Sequence, residues 1–257
     1  MDHKRHQLQQ MTLSLGQAHN QYVIIGEGNT STRIDDNTFY VKASGQQMQN
    51  ISTEGFTAVK FAPILDLLDH PPATMTAQKQ IMADARVDPA NDAMPSVEVS
   101  FHGMLLHECD VQYIGHTHPV AVNQILCSIH AESFAYKRIF PDEVVLCGPQ
   151  SVFVPYADPG LPLAIMMRDK VRDYMQQFKE APKVILLKNH GMIALGQTPN
   201  EILNITAMCV KAAQILQGAI AVGGAVYMDE ADVMHIYNRP DEIYRRQMFV
   251  NQNESDK

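Results

Sequence analysis

The sequence predicts an α/β fold: a single-domain, layered α/β/α sandwich with a mainly antiparallel central sheet. Three observations lead there. Short apolar runs of strand length are interspersed with longer helix-periodic stretches, without the strict βαβ alternation of a parallel sheet. The chain has 257 residues, 46% of them hydrophobic, enough for one sizeable core. No internal repeat, low-complexity tract or linker divides it, so residues 1–250 read as one domain and 251–257 as a frayed polar tail.

Taken in order, Leu8, Met11, Leu15, Ala18 and Tyr22 fall at helical spacing, which predicts a helix over 6–21. Residues 26–31, Gly-Glu-Gly-Asn-Thr-Ser, read as a turn. A strand over 38–42 and a turn at 43–45 follow. Residues 56–68 suggest a short helix, or a strand plus helix, ended by Pro71-Pro72; 76–86 is a further helix and 88–94 a loop. Ser96 is a good N-cap for a helix over 97–108. A strand is expected over 111–116, and Pro119 suits the start of a helix over 120–128. Short strands are expected at 143–147 and 151–154, a helix at 162–178, and strands at 183–187 and 192–195. Thr198 caps and Pro199 opens a long helix over 199–222, stopped by Gly223-Gly224. The last helix, 229–248, is interrupted near Arg239-Pro240.

A net charge of −8 argues against nucleic-acid or anionic-membrane partners, while leaving room for a local basic pocket. Four widely spaced cysteines without a CxxC pair read as reduced thiols of a cytoplasmic protein. No apolar segment follows the basic N-terminus, so no secretory signal is expected. Residues 202–226 carry Asn204, Lys211 and Gln214, the pattern of a packed helix and not of a membrane span.

Chemistry concentrates in three places. His116 and His118 stand two apart at the end of an apolar stretch, a spacing that on a strand turns both rings to one side. His190, in Lys188-Asn189-His190-Gly191, follows a second apolar run. Three histidines from strand ends suit a catalytic divalent metal, which keeps a coordination position open for substrate. Imidazole nitrogen suits Zn2+, and also Mn2+, Fe2+, Co2+ or Ni2+. Glu98, in Pro95-Ser96-Val97-Glu98, supplies a carboxylate upstream. His3, His6, His19 and His70 read as surface residues, and His102 and His107 as residues of the helix after Glu98, either of them a hydrogen-bonded core histidine. Lys42, a lone strand lysine, reads as solvated.

The ordered set Gly28-Asn29-Thr30-Ser31, Ala43-Ser44-Gly45, Pro95-Ser96-Val97-Glu98, His116-Thr117-His118-Pro119 and Asn189-His190-Gly191 resembles the class II aldolase/adducin family over roughly residues 7–225. Tyr40-Val41-Lys42-Ala43-Ser44-Gly45 is most similar to the aldolase portion of rhamnulose-1-phosphate aldolase/alcohol dehydrogenases, and the set also matches fuculose-phosphate aldolases. The resemblance implies zinc on His116, His118 and His190, with Glu98 as the acid/base. It implies an aldolase that cleaves a ketose 1-phosphate, such as rhamnulose- or fuculose-1-phosphate, through a metal-stabilised enediolate to dihydroxyacetone phosphate and an aldehyde. Gly28, Asn29, Ser44, Gly45 and Ser96 then form the phosphate cradle. A tyrosine, Tyr227, Tyr237 or Tyr244, donates or accepts the aldehyde-side proton across subunits of a homotetramer. Val97 departs from the family, whose sugar-phosphate aldolases often have a second serine there; a lost hydrogen bond to a charged group is worth ~1.5–3 kcal/mol unless Lys42 compensates. A non-phosphorylated or acidic substrate therefore stays open. Epimerase, dehydratase and sugar-acid decarboxylase activities keep the same metal. A non-catalytic adducin-like interaction domain is the remote alternative, disfavoured by the presence of all three histidines.

Overall fold

The computed structural model describes residues 2–90 and 92–251. Its sheet contains β1 (Asn29–Arg33), β2 (Thr38–Lys42), β3 (Phe56–Lys60), β4 (Tyr113–Thr117), β5 (Val152–Val154), β6 (Val184–Leu187) and β7 (Gly191–Gly196), in the order β3-β2-β1-β4-β7-β6-β5. Every neighbouring pair is antiparallel except β5 with β6. The helices are α1 (Asp2–Leu15), α2 (Phe61–Asp69), α3 (Met75–Asp84), α4 (Val99–Glu108), α5 (Val120–Leu126), α6 (Ala131–Tyr136), α7 (Pro141–Cys147), α8 (Leu161–Phe178), α9 (Pro199–Ala221), α10 (Glu230–Asn238) and α11 (Pro240–Asn251).

Both faces of the sheet are buried, and successive side chains feed opposite layers. Val184 and Leu186 of β6 pack in the layer of Leu8, Leu15, Val122, Ile202 and Ala213, whereas Ile185 and Leu187 pack with Ile64, Met104, Leu163 and Val171. Helices α1, α5, α6 and α9 cover one face, and α2, α4 and α8 the other. Double-sided burial is why β6 reads as an unbroken apolar run. The predicted α/β/α sandwich with a mainly antiparallel sheet is therefore the observed one.

Three local expectations are corrected. The turn assigned to 26–31 contains the start of β1: Thr30 and Ser31 look like turn residues, but their hydroxyls meet Thr12 and His102 inside the protein, and tertiary pairing overrides propensity. Residues 143–147 form the end of α7 and not a strand. Pro141 in its first turn and the acidic Asp142 and Glu143 favour a helix start, and Glu143 reaches back to accept from the Ile139 amide at 2.9 Å. Ser96 does not cap α4, which begins at Val99; its hydroxyl accepts from the Glu98 amide at 3.3 Å. At the other end of the chain, Thr198 does cap α9, accepting from the Glu201 amide at 3.2 Å. The split of the last helix falls at Arg239-Pro240 as expected. The four cysteines are free thiols, and no described helix is long and apolar enough to cross a membrane. Of the polar tail expected over 251–257, Asn251 ends α11 and residues 252–257 lie outside the described residues.

Candidate metal centre

Strand registry decides what meets at the end of β4. His116 is flanked by Asn29 of β1 on one side and Ile193 of β7 on the other. The strand stops at Thr117, so His118 comes from the segment just after it, tied down by its amide donating to the Tyr22 carbonyl at 2.8 Å. His190 arrives on the tight turn between β6 and β7, where Asn189 takes a left-handed conformation (φ 56°) and the His190 amide bonds back to Leu187 O at 3.1 Å. Asn123 of α5 donates to the His190 carbonyl at 2.9 Å and fixes that turn.

Two glycines of the motifs are demanded by this crowding. A Cβ on Gly191 would meet His118 Cδ2 and Thr117 O, both at 2.6 Å. Gly28 has φ +69° and a Cβ there would meet His116 O at 2.7 Å.

The rings of His116, His118 and His190 stand 4.8, 5.1 and 4.9 Å apart between centroids. One nitrogen from each lies within 4.8 Å of the others. His116 Nδ1 donates to Met192 O at 2.9 Å, which leaves the Nε2 lone pair turned into the cluster. Nε2 of His118 faces it at 3.0 Å, close to the ~3.3 Å between two donors on one tetrahedral ion with ~2.0–2.1 Å bonds. Glu98 directs Oε2 to His116 Nε2 and Oε1 to His190 Nε2, each at 3.4 Å. Burial, reinforced by the neighbouring imidazoles, pushes His116 and His118 down to about 3. Burial also lowers His190, against the pull of Glu98. Neutral imidazoles are the form that binds a metal, so the donor set fits a divalent cation.

Glu98 is itself held. Asn29 Nδ2 donates to Glu98 Oε2 at 2.7 Å and to Ser96 Oγ at 3.2 Å, so its carboxamide joins the carboxylate to the cradle serine. Asn29 Oδ1 is bonded to Nε2 of His102, whose Nδ1 meets Ser31 Oγ at 2.7 Å. His102 is a buried, hydrogen-bonded histidine as expected, but its link to Glu98 through Asn29, and its bond to Ser31, were not anticipated. The signal was available for His102, which stands four residues after Glu98 and hence on the same helical face.

The other cradle residues converge at this end of the sheet. An isolated bridge joins Ala43 to Pro95, and Ser44 N donates to Met94 O at 2.8 Å, which brings the Ser44-Gly45 turn beside Ser96. Lys42, expected to be solvated, is 3% exposed; its ammonium donates to Gln46 O at 2.6 Å, and burial lowers its pKa while Glu98 opposes the shift. Val97 is exposed. The Tyr227 hydroxyl donates to Ser133 at 3.1 Å, that of Tyr237 bonds to Glu180, and Tyr244 is exposed. His3, His6, His19, His70 and His107 are exposed, and none of them belongs to the cluster.

Fold and site together define an α/β/α protein built around a candidate divalent-metal centre at one end of its sheet. Its residues 8–217 match the Class II Aldolase and Adducin N-terminal domain family, and the chain belongs to that family. A curated relative, 3-oxo-tetronate 4-phosphate decarboxylase of Haemophilus influenzae, is 25% identical over 177 residues, covering 68% of this chain and 69% of that protein. Similar solved structures include L-fuculose 1-phosphate aldolase (TM-score 0.70, 15% identity, 92% of this chain and 95% of that one). The N-terminal class II aldolase domain of a Thermoplasma acidophilum protein gives a TM-score of 0.64 at 22% identity, over 81% and 91% of the two chains. At these identities the structures establish the shared fold.

Proposed function

We propose that this protein is a divalent-metal-dependent carbon–carbon lyase, a cytoplasmic homotetramer that cleaves a ketose 1-phosphate of the rhamnulose- or fuculose-1-phosphate kind to dihydroxyacetone phosphate and an aldehyde. One observation carries the reading: three imidazoles converge while both oxygens of Glu98 face that cluster. His116, His118 and His190 would hold the cation, which when bound supplies Lewis-acid stabilisation of negative charge on the substrate's carbonyl oxygen.

The chain's own residues do the rest. Glu98 moves a proton at the carbon next to the carbonyl. Gly28, Ser44, Gly45 and Ser96 bind an anionic group; Ser96 Oγ accepts from Asn29 and from the Glu98 amide, which leaves its own proton for a ligand. Lys42 contributes a buried positive charge near the cradle, offsetting the hydroxyl that Val97 lacks. Beside His118 a cavity of about 700 Å³, lined by Val23, Ile24, Ile25 and Val120 together with polar Gln21, Glu27 and Asn123, takes the aldehyde part. With the Tyr227 and Tyr237 hydroxyls already engaged, Tyr244 of a neighbouring copy is the proton partner of the departing aldehyde.

Decarboxylation of a phosphorylated keto sugar acid is the second reading. The decarboxylase relative favours it. Loss of carbon dioxide also leaves electron density beside a carbonyl, so the same groups serve. A screen of ketose 1-phosphates and phosphorylated keto acids on zinc-loaded protein, with products identified by mass, tests both. Dihydroxyacetone phosphate marks the aldolase and carbon dioxide the decarboxylase; failure of every substrate, or less than one equivalent of bound metal, ends the proposal. Glu98→Gln is expected to keep its metal yet stop solvent deuterium entering the carbon next to the ketone.

A further inference from the structure

We infer that His102 is a positioning residue for Glu98: acting through Asn29, it anchors the Oε2 oxygen of that carboxylate and leaves Oε1 as the atom that moves the proton. The inference rests on the lyase reading for what Glu98 does, but its structural content stands on the hydrogen bonds alone.

Four side chains form one directed chain. A carboxylate oxygen only accepts, so the Asn29 atom facing Glu98 Oε2 at 2.7 Å must be the amide nitrogen. That choice turns Asn29 Oδ1 toward His102 Nε2, which must then carry the proton. A neutral ring protonated on Nε2 has a bare Nδ1, and Nδ1 accepts from the Ser31 hydroxyl at 2.7 Å. The order Ser31 Oγ–H to His102, His102 Nε2–H to Asn29, Asn29 Nδ2–H to Glu98 satisfies each member with one polarity. Reversing it would aim a carbonyl oxygen at the carboxylate.

The surroundings suit a rigid strut. His102 is fully buried, lies on α4 one turn beyond Glu98, and stacks on Phe101 with ring centroids 4.7 Å apart. Burial lowers its pKa well below the usual imidazole range, consistent with the neutral form the chain requires. Asn29 is held through its backbone by pairing with His116, so carboxylate and histidine cluster share one support. Glu98 Oε2 takes the Asn29 bond, and Oε1 lies 3.4 Å from His190 Nε2. The two oxygens therefore have different roles.

Two measurements on the zinc-loaded protein test this. ¹⁵N spectra of histidine-labelled protein, with the His102 signals assigned by their loss in His102→Gln, should show protonated Nε2 and unprotonated Nδ1. Ser31→Ala should shift that ring toward a tautomer mixture. A wild-type ring protonated on Nδ1, or one indifferent to Ser31→Ala, overturns the inference. In kinetics, His102→Leu should lower kcat for proton exchange about 10–100-fold with metal content and KM within about twofold. His102→Gln, whose amide can donate in place of Nε2, should recover most of the rate. Unchanged kcat in His102→Leu, or no recovery in a folded His102→Gln, also overturns it. If His102→Leu does not fold, the His102→Gln rate and the tautomer decide. Should wild type act on no sugar phosphate, the lyase reading fails, and the tautomer measurement still decides the arrangement.

Discussion

Gly191→Ala tests how tightly the histidine cluster is built. The added methyl would lie 2.6 Å from His118 Cδ2 and 2.6 Å from Thr117 O, against 3.4 Å for ordinary contact, so the gap must open by about 0.8 Å. Thr117 is the last residue of β4 and pairs with Met192, so its carbonyl yields little, and the His118 ring takes most of the displacement. Metal–nitrogen distances tolerate about 0.2 Å. A displacement several times larger should weaken zinc binding by at least the ~10–100-fold typical of disturbed ligand support. Overpacking should also cost about 1–3 kcal/mol of stability. Competition titration with a zinc chelator measures the first quantity and urea unfolding the second. Gly218→Ala is the control: nothing lies within 4 Å of its new Cβ on α9, so zinc affinity should hold and stability rise by roughly 0.5–1 kcal/mol. If Gly191→Ala binds zinc like wild type, the reasoning about His118 is wrong.

Metal-free protein should lose stability as pH falls from about 6.5 toward about 3, because the unfolded chain protonates His116 and His118 where the native state does not. The stabilising contribution is fully present above the unfolded value, and each ring contributes a slope of about 1.4 kcal/mol per pH unit inside that window. Urea unfolding between pH 7 and 4.5 should show a flatter profile for His118→Ala; an identical profile would refute the assignment. Arg138→Met should destabilise by about 3–5 kcal/mol, since Arg138 is 1% exposed, lies 3.6 Å from the buried Glu143 and donates to Gly148 O and Cys147 O. Thermal unfolding should show the loss, and adding Glu143→Gln should recover part of it. Lys42→Met should raise KM for a phosphorylated substrate about 10-fold or more while kcat changes little, read by steady-state kinetics across phosphorylated and plain sugars; an equal KM change for both would show that Lys42 does not read the phosphate.

How much was legible in the sequence follows from which interactions are local. The Thr198 cap and the break at Pro240 depend on neighbours within a turn, and both are present in the structure. The histidine, glycine and glutamate motifs announced a site because few other arrangements need those residue types together. The status of residues 29–33 and 143–147 was not legible, since buried hydroxyl partners and a helix start can outweigh composition. Lys42 was misjudged for the same reason: its burial comes from surrounding elements, not from its own strand.

The amino-acid order alone pointed to the layered fold and to the residues of the cluster, because the lengths of apolar runs and the residue types of the motifs are properties of the chain. Only tertiary structure decided what each of them touches. Registry of β1 against β4 puts Asn29 beside His116, and the approach of α4 brings Glu98 and His102 to opposite ends of that amide. Hydrogen bonds work over about 3 Å and depend on direction. No one-dimensional pattern encodes such distances between residues some seventy positions apart, so the partner of Asn29 became visible only once the sheet had closed.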